Sequence, residues 1–278
     1  MIDHQKLKNK NIAVLGTGYL GSNLSSYLRK LNIQVTEIKK TNLKFFKNKD
    51  FDYFINCAGN SGDFRDKLIE TVESNVTLNC YILQNIKIRY CYLYISSSRV
   101  YGYSKRDDII FDENYLYDQN SLSLDYIYDG SKKLSESILL NYSKKVDYKI
   151  GILRLSNVYG NFNNLNDSTL IKKIIRFKKQ FLNNLYVKEN RYSRKDYIHI
   201  NDVVESIVKV ILNIKQTDIF NLAYGKSYSL DDISSILNLK INSDESKEPR
   251  FSIISNNKIK EQFSLSFNYD FKKELKKI

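Results

Sequence analysis

The sequence predicts an α/β protein built on a doubly wound parallel sheet. Three observations carry this. Short apolar runs alternate with helix-periodic segments through the first half of the chain. The first run ends in a glycine loop that opens a helix, and a Tyr-x-x-x-Lys pair opens a later helix. Strands alternating with helices imply parallel strands, helices on both faces, and ligands at the carboxyl ends of the strands.

Asn11 to Leu15 is an apolar run followed by Gly16-Thr-Gly-Tyr-Leu-Gly21. Leu20 to Leu31 has helical periodicity, Ile33 to Ile38 reads as a strand, and Phe51 to Cys57 is another apolar run that turns at 58–62. Leu68 to Gln84 is helix-like, Tyr90 to Ile95 is a clear strand, and Lys149 to Leu155 a further one. Beyond Ser156 the rhythm changes. Residues 157–167 are asparagine-rich and loop-like, Leu170 to Phe181 and Asp202 to Ile214 read as helices, Phe220 to Ala223 as a short strand, and Leu230 to Leu237 as a helix. The division expected is a nucleotide-binding domain over 1–156 and a smaller lobe over 157–278, with segments around 200–223 returning to the first domain.

A chain of 278 residues with 42% hydrophobic and 27% charged residues suffices for a large core. No apolar run approaches the ~18 residues of a membrane span, and the polar start at 1–10 lacks the apolar core of a secretory signal. Cys57, Cys80 and Cys91 are odd in number and lie in apolar segments, which reads as reduced thiols and a cytoplasmic protein. The net charge of +13 comes from Lys and Arg spread along the chain, without a basic block. That describes a solvated lysine-rich surface rather than a nucleic-acid site, although it would attract an anionic ligand such as a nucleotide diphosphate.

In the glycine loop, Gly16 and Gly18 permit a tight turn and close approach to a pyrophosphate, Gly21 allows close helix packing, and the helix N-terminus favours negative charge. An NAD site usually carries an acidic residue about 20 residues on, at the end of the second strand. Here Lys39 and Lys40 occupy that place and Glu37 lies two residues earlier. A lysine there pairs with the 2′-phosphate of NADP, so NADP is favoured over NAD.

Tyr-x-x-x-Lys occurs three times in this tyrosine- and lysine-rich chain: Tyr101/Lys105, Tyr128/Lys132 and Tyr269/Lys273. Only in a helix does a four-residue offset put both side chains on one face. Tyr101 ends a strand-like run before Gly102, and Tyr269 lies in a short polar tail. Tyr128 alone opens a segment with apolar residues at helical spacing, Leu134, Ile138, Leu139 and Tyr142.

These motifs, with Asn56-Cys-Ala-Gly59, Ser74-Asn-Val76, Ser96-Ser-Ser-Arg-Val-Tyr-Gly102, Ile152 to Gly160, Lys195 to Val204 and Phe220 to Ala223, stand in order along almost the whole chain. In them the chain resembles the extended short-chain dehydrogenase/reductases, specifically the nucleotide-sugar epimerase/dehydratase family. The resemblance implies a Rossmann-type sheet with a smaller C-terminal substrate-binding lobe. It implies Tyr128 as the acid/base, Lys132 as the cation that also holds the nicotinamide ribose, and Ser97 as the hydroxyl on the reacting oxygen. It assigns Tyr19, Leu20, Cys57, Ala58, Gly59 and Asn75, together with Tyr128 and Lys132, to the cofactor. It assigns Ser98, Asn157, Lys195 and Arg250 to a nucleotide-sugar. Lys195 stands where the family commonly has arginine, which loses the bidentate fork; neighbouring Arg194 compensates in charge.

Departures narrow the chemistry. Leu15 and Asn161 replace a frequent glycine and proline. Ser98 and Arg99 stand where 4,6-dehydratases carry Asp-Glu, so the resemblance implies redox at a sugar carbon, most often C4, without dehydration: a 4-epimerase or a 4-keto reductase. It also implies a homodimer through paired helices, to which Leu134, Ile138 and Leu139 would contribute. The alternative is a non-catalytic NADP-binding sensor or scaffold of the same fold.

Overall fold

In the computed structural model, residues 4–60, 64–116, 126–160, 169–180 and 185–278 are described. The asparagine-rich stretch 161–167, with Asn161, and the turn residues 61 and 62 lie outside them. The chain divides into two compact units. One comprises Met1–Val100, Asp118–Arg154 and Val204–Phe220, the other Tyr101–Tyr117, Leu155–Val203 and Asn221–Ile278.

The first unit is built on six strands: β1 (Ile12–Leu15), β2 (Val35–Ile38), β3 (Asp50–Asn56), β4 (Lys87–Ser97), β5 (Lys149–Leu155) and β6 (Asp218–Leu222). Their order is β6-β5-β4-β3-β1-β2, and β1 pairs in parallel with β2 and β3, as β3 does with β4. All of β1 and residues 91–96 of β4 are buried. That is why they read as unbroken apolar runs, since a parallel sheet is covered on both faces. The order reverses direction at β1, so the loop after β1 opens on the crevice where such sheets bind ligands.

Helix α1 (Tyr19–Lys30) follows that loop and buries Gly21, Leu24, Ser25 and Leu28 on one face. Arg29 and Lys30 lie in its last turn, where cations suit the helix dipole. Asn32, at φ 58°, stops it: the Asn32 and Ile33 amides bond back to Arg29 and Leu28, a Schellman ending.

The expected helix over 68–84 is α2 (Leu68–Val72) and α3 (Leu78–Asn85) joined by a π-helical turn, Glu73–Thr77. Helix α4 (Tyr126–Tyr142) carries the tyrosine-lysine pair. The core beneath these elements contains Leu15, Ile38, Phe54, Ala58, Ile82, Tyr92, Tyr94, Leu139 and Ile152, all buried.

The second unit has its own apolar cluster, with Tyr159, Ile171, Ile174, Tyr197, Tyr228, Ile233 and Phe271. Its sheet runs Ser227–Ser229, Arg194–His199, Phe251–Ile254, Ile110–Phe111, with Asn157–Tyr159 also paired to Arg194–His199. Arg194 lies opposite Phe251 and Lys195 opposite Ser252. Among the described residues no helix is long and apolar enough to cross a membrane, no His/Cys/Asp/Glu group is arranged to hold a metal, and all three cysteines are free thiols.

Candidate active site

The glycine loop fits its task by space. Gly16 has φ 95°, and a Cβ there would stand 2.8 Å from the Ala58 nitrogen. A Cβ on Gly21 would stand 1.8 Å from the Gly16 carbonyl oxygen, so α1 packs against the loop only with glycine at that position. Gly18 differs: a Cβ there would meet no protein atom within 4 Å. It faces open space at the N-cap of α1, which has no side-chain cap and no acidic residue in its first turn. Backbone N–H groups and the positive end of the helix dipole are therefore presented to an anion beside a residue with no side chain.

At the end of β2, Glu37 pairs with Arg29 at 2.8 Å and Lys39 is exposed. Lys40 turns to Ser74, its amine 2.5 Å from the hydroxyl oxygen, and partial burial holds its pKa below the usual lysine value. Both lysines are exposed, and Lys40 is the one engaged by a neighbouring hydroxyl.

The three serines that end β4 separate by direction. Ser96 is buried and donates to Glu136 Oε1 at 2.6 Å. Ser97 is half-buried, hydrogen-bonds Tyr128, and accepts the Arg99 backbone N–H at 3.2 Å. Ser98 is buried in the turn that follows. One helical turn from Tyr128, Lys132 is also buried, its amine donating to the Ile95 carbonyl at 2.9 Å and lying 4.7 Å over the Tyr94 ring. Burial pulls its pKa down to about 7, against the opposing pull of Glu136. The Tyr128 phenol is pushed up by burial, while the Ser97 hydrogen bond and the Arg99 charge draw it down.

The π-helical turn places Asn75 at the floor of this site. Its amide donates to Ser131 Oγ at 2.9 Å, and its carbonyl accepts the Asn79 amide at 2.7 Å and the Ser135 hydroxyl. Its side-chain oxygen is buried without a hydrogen-bond partner and lies 3.4 Å from where a Gly59 Cβ would stand; the Lys132 amine lies 3.3 Å from that same point. An orphaned acceptor of this kind costs about 1–3 kcal/mol, and a hydroxyl-bearing group entering beside Gly59 would satisfy it. The residues present thus fit a dinucleotide: an anion cradle at Gly18 and a polar floor at Gly59, Asn75 and Lys132. Cys57 adjoins Lys132, and burial pushes its thiol up to about 12, so it stays protonated.

Sequence reasoning missed the polar layer behind the site. Arg154 and Glu136, both buried, form a bonded pair at 2.7–3.2 Å. The signal was present: an arginine inside the apolar strand 149–155 requires a buried partner, and Glu136 lies one turn beyond Lys132. Also missed was Asp129, buried and bonded to Arg99 Nε at 2.8 Å.

In the second unit, Asn157 donates to the Asp196 carbonyl at 3.0 Å. Lys195 is held by both oxygens of Glu189, at 2.5 and 2.7 Å, and Arg194 pairs with Asp232 at 3.0 Å. Arg250 is exposed and lies 5.5 Å from the Tyr103 ring centre. Arg194, Lys195 and Arg250 therefore gather at the junction of two neighbouring strands, with the first two already paired to carboxylates.

Residues 12–223 match the NAD dependent epimerase/dehydratase family. With the Rossmann-type sheet, the chain belongs to that family. Among individual proteins it is similar to UDP-glucuronic acid decarboxylase 6 of Arabidopsis thaliana, 22% identical over 84% of this chain and 68% of that one. Four further Arabidopsis decarboxylases align over only 46–58% of their own length, so the chain spans about half of these curated relatives. UDP-glucuronic acid 4-epimerase from Bacillus cereus, solved with UDP-4-deoxy-4-fluoro-glucuronic acid and NAD, superposes with a TM-score of 0.79 at 19% identity, over 96% of each chain. RMD from Pseudomonas aeruginosa, complexed with NADPH, gives 0.77 at 20% identity over 96% of this chain and 97% of that one. These likenesses show the fold.

Proposed function

We propose that the chain is a nicotinamide-dependent nucleotide-sugar epimerase or 4-keto reductase, with Tyr128 as acid/base at a sugar carbon, C4. The observation that carries this is the contact of Ser97 with Tyr128, with Lys132 one turn along the same helix. When bound, the nicotinamide supplies the hydride donor or acceptor. Tyr128 moves the proton at the sugar oxygen, Ser97 orients that oxygen, and Lys132 with the Asn75 carboxamide holds the ribose. Burial keeps the phenol protonated, which suits proton donation to an alkoxide in the reductive direction.

Ser98 and Arg99 offer no carboxylate beside Ser97, so the reading is redox without water elimination. Exposed Lys39 favours the 2′-phosphate of NADP. Asn157, Lys195 and Arg250 are assigned to the nucleotide-sugar; for Lys195 the Glu189 pair must open or be shared when a diphosphate binds.

A homodimer through α2 and α4 is part of the reading. Leu139 is core and Ile138 packs against it, but Leu134, Leu68, Ile69 and Val72 are exposed. An exposed apolar patch on neighbouring helices suits a self-complementary contact.

Incubating the protein with UDP-glucose and UDP-glucuronic acid without added cofactor, and with a 4-keto nucleotide-sugar with and without NADPH, divides the two activities. Turnover without added cofactor points to an epimerase, and strict dependence on NADPH to a reductase. Tyr128→Phe should abolish turnover while NADP still binds. Full turnover in that variant would point to a different acid, whereas no turnover by the parent protein would leave the non-catalytic sensor.

A further inference from the structure

Arg99 stands where a dehydratase would place a carboxylate, and its surroundings give it another use. Its guanidinium lies 5.3 Å from the Tyr128 ring centre and 4.9 Å from that of Phe64. Phe64 itself packs on Tyr128 at 5.2 Å. Asp129, adjacent to Tyr128 in sequence, grips the guanidinium from the other side through two bonds, Nε to Oδ1 at 2.8 Å and Nη2 to Oδ2 at 3.4 Å. The cation is thus locked against the face of the ring that bears the reacting hydroxyl.

We propose that Arg99 is a positioning residue for Tyr128: clamped by Asp129, it seats the phenol ring and stabilises its anionic form. This rests on the reading of Tyr128 as acid/base. The need follows from Lys132. A buried amine without full compensation sheds its proton readily, so Lys132 is a weak permanent cation, whereas a guanidinium is always charged. Arg99 supplies next to the phenol the steady positive charge that the buried lysine lacks. Asp129 limits the effect, since its carboxylate opposes phenolate formation.

The other groups around the phenol do not supply that charge. Ser97 and Tyr94 on β4 are neutral. On α4, Lys132 is favoured as a cation by Glu136 only against the larger opposing effect of its burial, and it faces Cys57 and Lys40. Arg65 lies over the Phe64 ring at 4.5 Å, a second cation on the same aromatic stack but one ring removed from Tyr128.

The test is a titration of the Tyr128 phenol by ¹³Cζ-tyrosine NMR in the NADP-loaded protein, its resonance identified by its loss in Tyr128→Phe. Arg99→Gln should move the midpoint up by about one pH unit, the lower end for an opposite charge within 4–6 Å because Asp129 offsets part of it. Arg99→Lys, which keeps the charge but loses the fork, should move it less. Asp129→Asn should move it down. These opposite signs are something a merely structural pair would not produce. An unchanged midpoint in Arg99→Gln, or the same direction of shift in Arg99→Gln and Asp129→Asn, overturns the proposal. If Arg99→Gln does not fold, Arg99→Lys and Asp129→Asn still decide it. Turnover by Tyr128→Phe would sink the acid/base reading separately, because the titration does not depend on activity.

Discussion

Replacing Arg154 by methionine would leave the Glu136 carboxylate buried with Ser96 and without its cation. Both side chains are almost fully enclosed, 5% and 2% exposed, and the pair is joined by three contacts between 2.7 and 3.2 Å. Breaking one side of such a pair costs about 3–5 kcal/mol. At roughly 2 °C per kcal/mol for a chain of this length, Tm should fall by about 6–10 °C. The double variant Arg154→Met/Glu136→Leu removes both charges and keeps the volume, leaving chiefly the Ser96 hydroxyl without its acceptor, at about 1 kcal/mol. It should therefore lie within about 2 °C to 4 °C of the parent. Thermal unfolding followed by circular dichroism reads all three proteins. A double variant that falls as far as Arg154→Met refutes the reasoning, because the loss would then come from packing and not from an uncompensated charge.

Gly18→Ala should leave Tm nearly unchanged, since the new methyl meets nothing, while weakening NADP binding about tenfold, a cost of ~1.4 kcal/mol, by calorimetry. Gly21→Ala should instead destabilise the fold itself, because its methyl would stand 1.8 Å from a carbonyl oxygen; equal Tm values for the two variants would contradict the loop's description. Lys39→Glu should reverse the cofactor preference toward NAD by about tenfold or more in the ratio of Kd values, if a single 2′-phosphate contact is worth ~1.4 kcal/mol or more, and an unchanged ratio removes Lys39 from the site. Asp196 is buried with its pKa raised to about 6 from 3.8, despite bonds from Ser156 and the amides of Tyr224, Gly225 and Lys226. A raised folded pKa means its contribution is full below pH 3.8 and is lost as pH rises through 6. Asp196→Asn should abolish that slope in a Tm-versus-pH series, whatever it does to the absolute Tm.

Much of the first unit was legible because its strands are buried on both faces and its key turn uses glycine for reasons of space. The run 12–15, the loop at 16–21 and the strands at 50–56 and 149–155 all announce themselves. The π-helical turn at 73–77 was not legible: its residues suit an ordinary helix, and the extra residue per turn is held by bonds to Asn75 from α4. The second unit was read least well. Strands such as Ser227–Ser229 and Ile241–Ser243 are three residues long, too short for periodicity to register, and they form by pairing with partners remote in sequence. Tyr128 and Lys132 could be chosen from three candidate pairs by helical context alone. Arg99 and Asp129, thirty residues apart, carry no local pattern that joins them.

The interleaving of the two units along the chain bears on synthesis as well as on structure. Strand β6, at 218–222, closes the edge of the first sheet beside β5. Until it leaves the ribosome, β5 presents an unpaired apolar border to whatever is nearby. The nascent first unit must therefore wait, incomplete and adhesive, while the Leu155–Val203 segment of the second unit is translated. Expression as an isolated 1–156 fragment would make that transient state permanent, and aggregation is its expected fate.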